Sequence, residues 1–451
     1  ANPWHFNENV TERTVALQKA LALRGKVSAR ERAYIHAAHV LDSLGLAEGR
    51  EAYVQALGKL IAQYPEEVEA KLFLALFLFQ DNFTHGYDTN GEPTANRKKS
   101  LALLEDLLKA HPNHAAVNHY WIHAVEGGAH PEAALASADK IAALAPASGH
   151  MVHMAGHIYF RLGMYERARQ SFLKSMKVDE AYLAAQQIKP DEHWNYSHNL
   201  FYLAMNCAED GRYQEGLKWA RLEGYPETLA AFLMRYGKWE AAATLMDSLA
   251  ASTKNDTSAS IDVLDQGLRA FVKGMAALEK RNFVESKRQA DELDATLGEA
   301  LAEKLGPGAA YGAEFAREIL SVASPELRGN VASMEGDHAN AIAWLKQAVE
   351  KEKQVGYDEP PLYTRPSLES LGQAYLRMRE WEPARAAFQQ ALKLRPNSGH
   401  ALYGIAQSYA MAGKKVEAEK AYRIFLQSWC ETDESLLQVQ QAKAWLKANG
   451  F

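Results

Sequence analysis

The side chains in this sequence best suited to chemistry are its histidines, and they are unevenly spread. Ten of the sixteen fall between residues 111 and 198: His111, His114, His119, His123, His130, His150, His153, His157, His193 and His198. An even spread over the 451 residues would put about three there. His119 and His123 stand at i, i+4, which places both imidazoles on one face of a helix, and His153 and His157 repeat the spacing 34 residues later. Neutral imidazole ligates zinc, copper, iron and nickel. Thiolate ligation is excluded by cysteine usage, since Cys207 and Cys430 are the whole complement and lie far apart. A site built from imidazoles without sulfur leans to Cu(II) or Zn, with copper favoured and room for one or two ions.

Three further residues extend the pattern. His150 shares the face of His153 and His157 (i, i+3, i+7), and His198 stands near the start of a later helix. Glu126 lies one turn beyond His123, where a carboxylate serves as ligand, as acceptor for an imidazole N–H, or as a base. Tyr120, Tyr159, Tyr196 and Asn199 surround the cluster and are read as lining. Lone histidines at His5, His36, His39, His85, His338 and His400 are read as packing or surface residues. The competing account of the cluster is a polar groove whose imidazoles hydrogen-bond a ligand or change charge with pH.

The elements that must position these groups are helices. Gly372, Tyr375, Ala384, Ala387 and Phe388 are followed 34 residues later by Ala406, Tyr409, Ala418, Ala421 and Tyr422. Gly156, Tyr159, Ala168 and Phe172 keep the same offsets. That period and that alternation of small and aromatic residues are the tetratricopeptide signature: a small residue on the first helix admits the second, and an aromatic fills the space between. The fold expected is an all-α solenoid of helical hairpins wound as a right-handed superhelix. Its first helices line a concave face with neighbours about 10 Å apart. On that geometry the two histidine pairs, one repeat apart, would meet over one ion or a close pair. Polar or Gly/Pro-rich stretches at 81–95, 247–262, 306–308 and 357–366 are expected loops. The second divides the chain into an N-terminal repeat segment, 1–246, holding the histidine site, and a C-terminal segment, 247–451.

Composition narrows the function. Apolar residues make up 47% and charged residues 24%, so a large core can form. The net charge of -6 is mild and the basic residues are scattered, which argues against nucleic acid. The most apolar run, Lys71 to Phe79, is too short to span a bilayer. No phosphate-binding loop, Gly-x-Ser-x-Gly elbow or His-Glu-x-x-His motif occurs. A start at Ala1 fits either a chain after signal removal or a trimmed one, and tips the expected compartment toward the periplasm or outside the cell.

Several blocks together resemble a widespread group of bacterial tetratricopeptide proteins without an assigned reaction. They are His119-Tyr120-Trp121-Ile122-His123-Ala124-Val125-Glu126, Gly149-His150-Met151-Val152-His153-Met154-Ala155-Gly156-His157-Ile158-Tyr159, Tyr196-Ser197-His198-Asn199, and Tyr357-Asp358-Glu359-Pro360-Pro361 with Pro366 and Leu371-Gly372. The blocks lie between about residues 100 and 410. In that group the second block usually reads His-Met-Pro-Ser-His, and here Ala155-Gly156 replace Pro-Ser. The resemblance implies that the histidine blocks and the Tyr-x-Glu-Pro-Pro segment form one site, with Glu359 carried back against the groove by superhelical curvature.

The function expected is therefore a metalloprotein with His119, His123, His150, His153, His157 and His198 as ligands and Glu126 and Glu359 as candidate bases. Copper would make it an oxidoreductase acting on a small molecule or peptide in the groove, and zinc would instead activate water with Glu126 or Glu359 as base. The alternatives are a peptide-binding scaffold without metal and a metal storage or delivery protein.

Overall fold

The computed structural model describes residues 10–80, 83–253, 263–302, 311–361 and 363–451. All regular structure among them is helical, apart from one isolated bridge between Tyr87 and Pro93. The chain forms two compact units that divide between Pro146 and Ala147. Of the expected loop at 247–262, the part through Thr253 is helical and the rest lies outside the described residues, as do His5 and the Gly306-Pro307-Gly308 turn.

The first unit contains α1 (Val10–Leu23), α2 (Ala29–Gln63), α3 (Val68–Gln80), α4 (Ala95–Ala110), α5 (Ala115–Glu126) and α6 (Leu135–Leu144). Gly45, at φ +76°, breaks α2 in a conformation that L side chains adopt only with strain. Helix α3 is apolar all round, and a helix of that kind must be covered on more than one side. Leu72, Leu76 and Phe79 pack with Leu104 and Leu107 of α4 and Val117 of α5, while Phe77 packs with Leu41, Tyr53 and Leu57 of α2.

The second unit continues with α7 (Gly149–Arg161), α8 (Tyr165–Gln186), α9 (Trp194–Asp210), α10 (Tyr213–Glu223), α11 (Pro226–Arg235), α12 (Trp239–Thr253) and α13 (Val263–Glu279). It then runs through α14 (Phe283–Ala302), α15 (Tyr311–Glu335), α16 (His338–Glu352), α17 (Ser367–Arg377), α18 (Trp381–Leu394), α19 (Gly399–Met411), α20 (Lys415–Ser428) and α21 (Leu437–Ala448). The repeat residues do what their sizes require. A Cβ on Gly156 would sit 2.2 Å from the Phe172 ring, and one on Gly372 would sit 2.7 Å from Phe388. Each glycine thus lets a fully buried phenylalanine lie between the two helices of its hairpin, a burial contributing roughly 2–3 kcal/mol per ring.

This unit also closes on itself. Phe425 and Trp429 of the last repeats join Ala204, Ala208 and Phe232 in one core. The Trp429 indole N–H donates to the Glu209 carbonyl (2.8 Å), and the Tyr165 hydroxyl to the Pro396 carbonyl (2.8 Å). At the closure lies a buried, charge-balanced ionic network. Arg235 donates to both oxygens of Glu209 (2.9 and 2.9 Å) and both of Glu369 (2.9 and 2.7 Å), and Arg395 donates to Glu209 (2.9 Å). Burial alone would push the Glu209 carboxyl up, but Arg235 and Arg395 outweigh it and hold it at about 2.

Candidate metal centre

Three helices of the second unit, α7, α8 and α9, build the site. Helix α7 starts at the Ser148 cap, whose hydroxyl accepts the Met151 N–H (3.4 Å). Two hydroxyls one turn apart on α8 fix it from beside: Ser171 donates to the Val152 carbonyl (2.8 Å) and Ser175 to the Gly149 carbonyl (2.8 Å). Helix α9 joins the same seam through Asn195 and Asn199, also one turn apart. Asn195 donates its amide to Asp179 (2.7 Å), and Asn199 donates to Ser175 (2.9 Å) and to the Asn195 carbonyl (2.9 Å).

On this frame, His153, His157 and His198 come together. Each offers a ring nitrogen, and the three nitrogens lie within 4.8 Å of one another. His153 and His157 are buried and His198 is half-buried. The Nε2 atoms of His153 and His157 face each other at 2.5 Å. Their other nitrogens turn to oxygens: His153 Nδ1 to Asn199 Oδ1 at 2.7 Å, and His157 Nδ1 toward Glu359 Oε2 at 3.5 Å. Tyr202 closes the back of the cluster, its ring centroid 5.4, 4.6 and 5.1 Å from those of His153, His157 and His198. Burial first, and then the neighbouring His157, His198 and His150, hold the His153 imidazole far below its ordinary range, so that it stays neutral with a lone pair available.

Glu359 arrives on the loop between α16 and α17. Within the unit that loop is tied down by the Gly356 N–H on the Glu318 carboxylate (2.9 Å) and by the Arg161 guanidinium over the Tyr357 ring (5.7 Å). His150 stands one turn before His153, its ring 6.3 Å from that of His153 and 5.2 Å from that of Trp194. The exposed Trp194 opens α9 at the rim of the cluster, 59% of its surface accessible.

His119, His123 and Glu126 belong to α5 of the first unit. The His123 and His119 rings lie 4.9 Å apart, and His123 Nδ1 meets Glu126 Oε1 at 2.6 Å, both groups buried. A carboxylate so placed fixes the proton of His123 on Nδ1 and leaves the lone pair on Nε2. The last turn of α5 is braced by Tyr87, whose hydroxyl donates to the Ala124 carbonyl (2.6 Å), and by Arg97, whose guanidinium donates to the same carbonyl (3.3 Å) and to that of His123 (3.4 Å).

Tetratricopeptide-repeat models match residues 150–182, 319–397 and 370–429. These stretches are tetratricopeptide repeats. The first of them is α7 and most of α8, so the repeat that carries His150, His153 and His157 is one of those matched. Among solved structures, the chain is similar to yeast Tom70 (14% identity, TM-score 0.35, covering 96% of each chain). It is also similar to the APC/C hetero-tetramer Cut9–Hcn1 (13%, 0.30, covering 96% of this chain and 98% of that one) and to the P58(IPK) tetratricopeptide domain (15%, 0.23, 85% and 99%). No curated protein matches the chain by sequence. No helix among the described residues is long and apolar enough to cross a membrane.

Pattern reading passed over the oxygens behind the histidines. Ser175, Asp179 and Asn195 look like ordinary polar residues, and Asn199 like lining. The available signal was the i, i+4 pairing of Asn195 with Asn199 and of Ser171 with Ser175, polar residues on helix faces that a packed repeat fills with apolar ones.

Proposed function

We propose that this protein is a histidine-ligated metalloprotein on a tetratricopeptide frame, with His153, His157 and His198 as ligands, copper preferred over zinc, and oxidoreductase activity. The observation that carries the reading is the convergence of one ring nitrogen each from His153, His157 and His198 to within 4.8 Å of one another, two of the three rings buried. Of the facing His153 and His157 Nε2 atoms, one carries a proton and donates it to the other's lone pair, an N–H···N hydrogen bond between neutral imidazoles. With His153 protonated on Nδ1, His157 donates from Nε2 in the ion-free protein, and a divalent ion would take the place of that proton, which moves to Nδ1 or is released. At metal–nitrogen distances of about 2.0–2.1 Å tetrahedral ligands stand roughly 3.3 Å apart, so the rings need separate by only about 1 Å.

Copper is preferred because three nitrogens without sulfur follow the ordinary affinity order of divalent ions. Three protein ligands leave a coordination position open, as catalytic sites require. Bound copper would supply one-electron redox chemistry toward dioxygen, whereas bound zinc would supply an activated water. Glu359 faces His157 Nδ1 at 3.5 Å, where it would take up a proton arriving at that ring. His119, His123 and His150 remain candidate ligands, and Glu126 acts through His123.

A second reading, a scaffold that binds a peptide, draws on the repeats themselves and on the exposed Trp194 beside the cluster. Elemental analysis of protein purified without a histidine tag separates the two. Bound or titratable transition metal supports the first, and its absence leaves the scaffold.

A further inference from the structure

The buried seam between α8 and α9 holds an amide whose orientation is dictated by its neighbours. Asn199 Nδ2 lies 2.9 Å from the Asn195 carbonyl, a group that only accepts. It also lies 2.9 Å from the Ser175 hydroxyl oxygen, whose own proton is spent on the Gly149 carbonyl. Asp179, a third acceptor, stands on the same side, held by Asn195. The NH2 group of Asn199 must face these three acceptors, so its Oδ1 faces His153 Nδ1 at 2.7 Å. An amide oxygen can only accept, and the His153 proton must therefore sit on Nδ1.

We propose that Asn199, locked by Ser175, Asn195 and Asp179, is the positioning residue that fixes His153 in the tautomer whose Nε2 lone pair points into the imidazole cluster. The inference rests on the metal reading for its purpose, since it explains how a ligand is prepared before an ion arrives. The two buried rings are served by different acceptors: a neutral amide behind His153 and a carboxylate near His157. The amide sets the direction of the His153 ring without adding charge, so the site's negative charge is placed on the His157 side. Acceptors that hold a ligating imidazole typically matter 10- to 100-fold in metal affinity.

Two measurements test this on the full chain. In the metal-free wild type with 15N-labelled histidine, His153 is assigned by comparison with His153→Gln, and nitrogen shifts report which ring nitrogen carries the proton. A proton on Nδ1 supports the proposal, and a neutral ring protonated on Nε2 overturns it without any change at Asn199. Titration with Zn(II) then compares wild type with Asn199→Leu and Ser175→Ala. The expected result is a roughly 10- to 100-fold weaker affinity for Asn199→Leu with mixed His153 tautomers, and a smaller loss for Ser175→Ala, which frees the amide but keeps its oxygen. Unchanged affinity in a folded Asn199→Leu protein overturns the proposal. A wild type that binds no Zn(II) or Cu(II) overturns the metal reading instead, and the tautomer measurement still decides the role of Asn199.

Discussion

The second unit buries two polar clusters that are opposites in construction. Around Arg235, every charge has a counter-charge: two guanidiniums meet two carboxylates with donors against acceptors throughout. Around His153, three imidazoles converge, with the Asn199 amide oxygen behind His153 and the Glu359 carboxylate near His157. The first arrangement is complete without any other molecule and ties α9 and α11 to α17. The second gathers three nitrogens suited to one cation, the reading proposed for it. What the difference teaches is that burial of polar groups does not by itself mark a functional site; the mark is a convergence of like groups that can share one ligand.

The largest effect that would sharpen this contrast is expected at Arg235. Arg235→Leu strands Glu209 and Glu369 as buried carboxylates, and breaking such a pair costs about 3–5 kcal/mol. Chemical denaturation should show most of the stability of the second unit lost. His157→Leu should do the reverse, with metal binding abolished while the metal-free protein stays within about 1 kcal/mol of wild type or gains stability, as is common where a site is built at the expense of packing. Equal destabilisation by both substitutions would erase the distinction between the clusters.

Acid should act on the closure next. His400 packs between Tyr236 and Trp429 and donates to the Ala208 carbonyl (2.9 Å). Burial first, and then Arg235, push its pKa down to about 4 from 6.5. The unfolded chain therefore takes up this proton before the folded one, so stability is full above pH 6.5 and falls as pH drops toward 4, by roughly 2–3 kcal/mol. His400→Gln should flatten that part of a stability-versus-pH curve; an unaltered curve would remove His400 from the account. Metal comes third. Zn(II) at about 100 times its dissociation constant should stabilise wild type by roughly 2.7 kcal/mol and leave His157→Leu unmoved, a difference read from paired melts. The smallest effect belongs to Tyr165→Phe, which removes the bond to the Pro396 carbonyl and should cost about 1 kcal/mol in the same melts.

Much of this was legible before any coordinates. Gly156, Phe172, Gly372 and Phe388 announce themselves by size and spacing because the repeat needs a gap and a ring to fill it. His153 and His157 are legible for a similar reason, since i, i+4 fixes two side chains on one face whatever the tertiary structure. Glu359 was reachable only through resemblance to other sequences. Its approach to His157 depends on how the unit curves back, which no local pattern encodes. The Arg235 network is silent in sequence for the same reason, with partners 134 positions away at Glu369 and 186 between Arg395 and Glu209. Asn199 was visible as a residue but not as a role, because the role lies in the direction of its amide, and Ser175 and Asp179 on another helix set that direction.

The most direct test of the central claim is the metal content of tag-free protein after titration with Cu(II) and Zn(II), in wild type and in His153→Ala together with His157→Ala. Wild type should retain copper in preference to zinc, and the double variant should retain neither. No retained metal in wild type, or full retention in the double variant, would contradict the assignment of His153 and His157 as ligands.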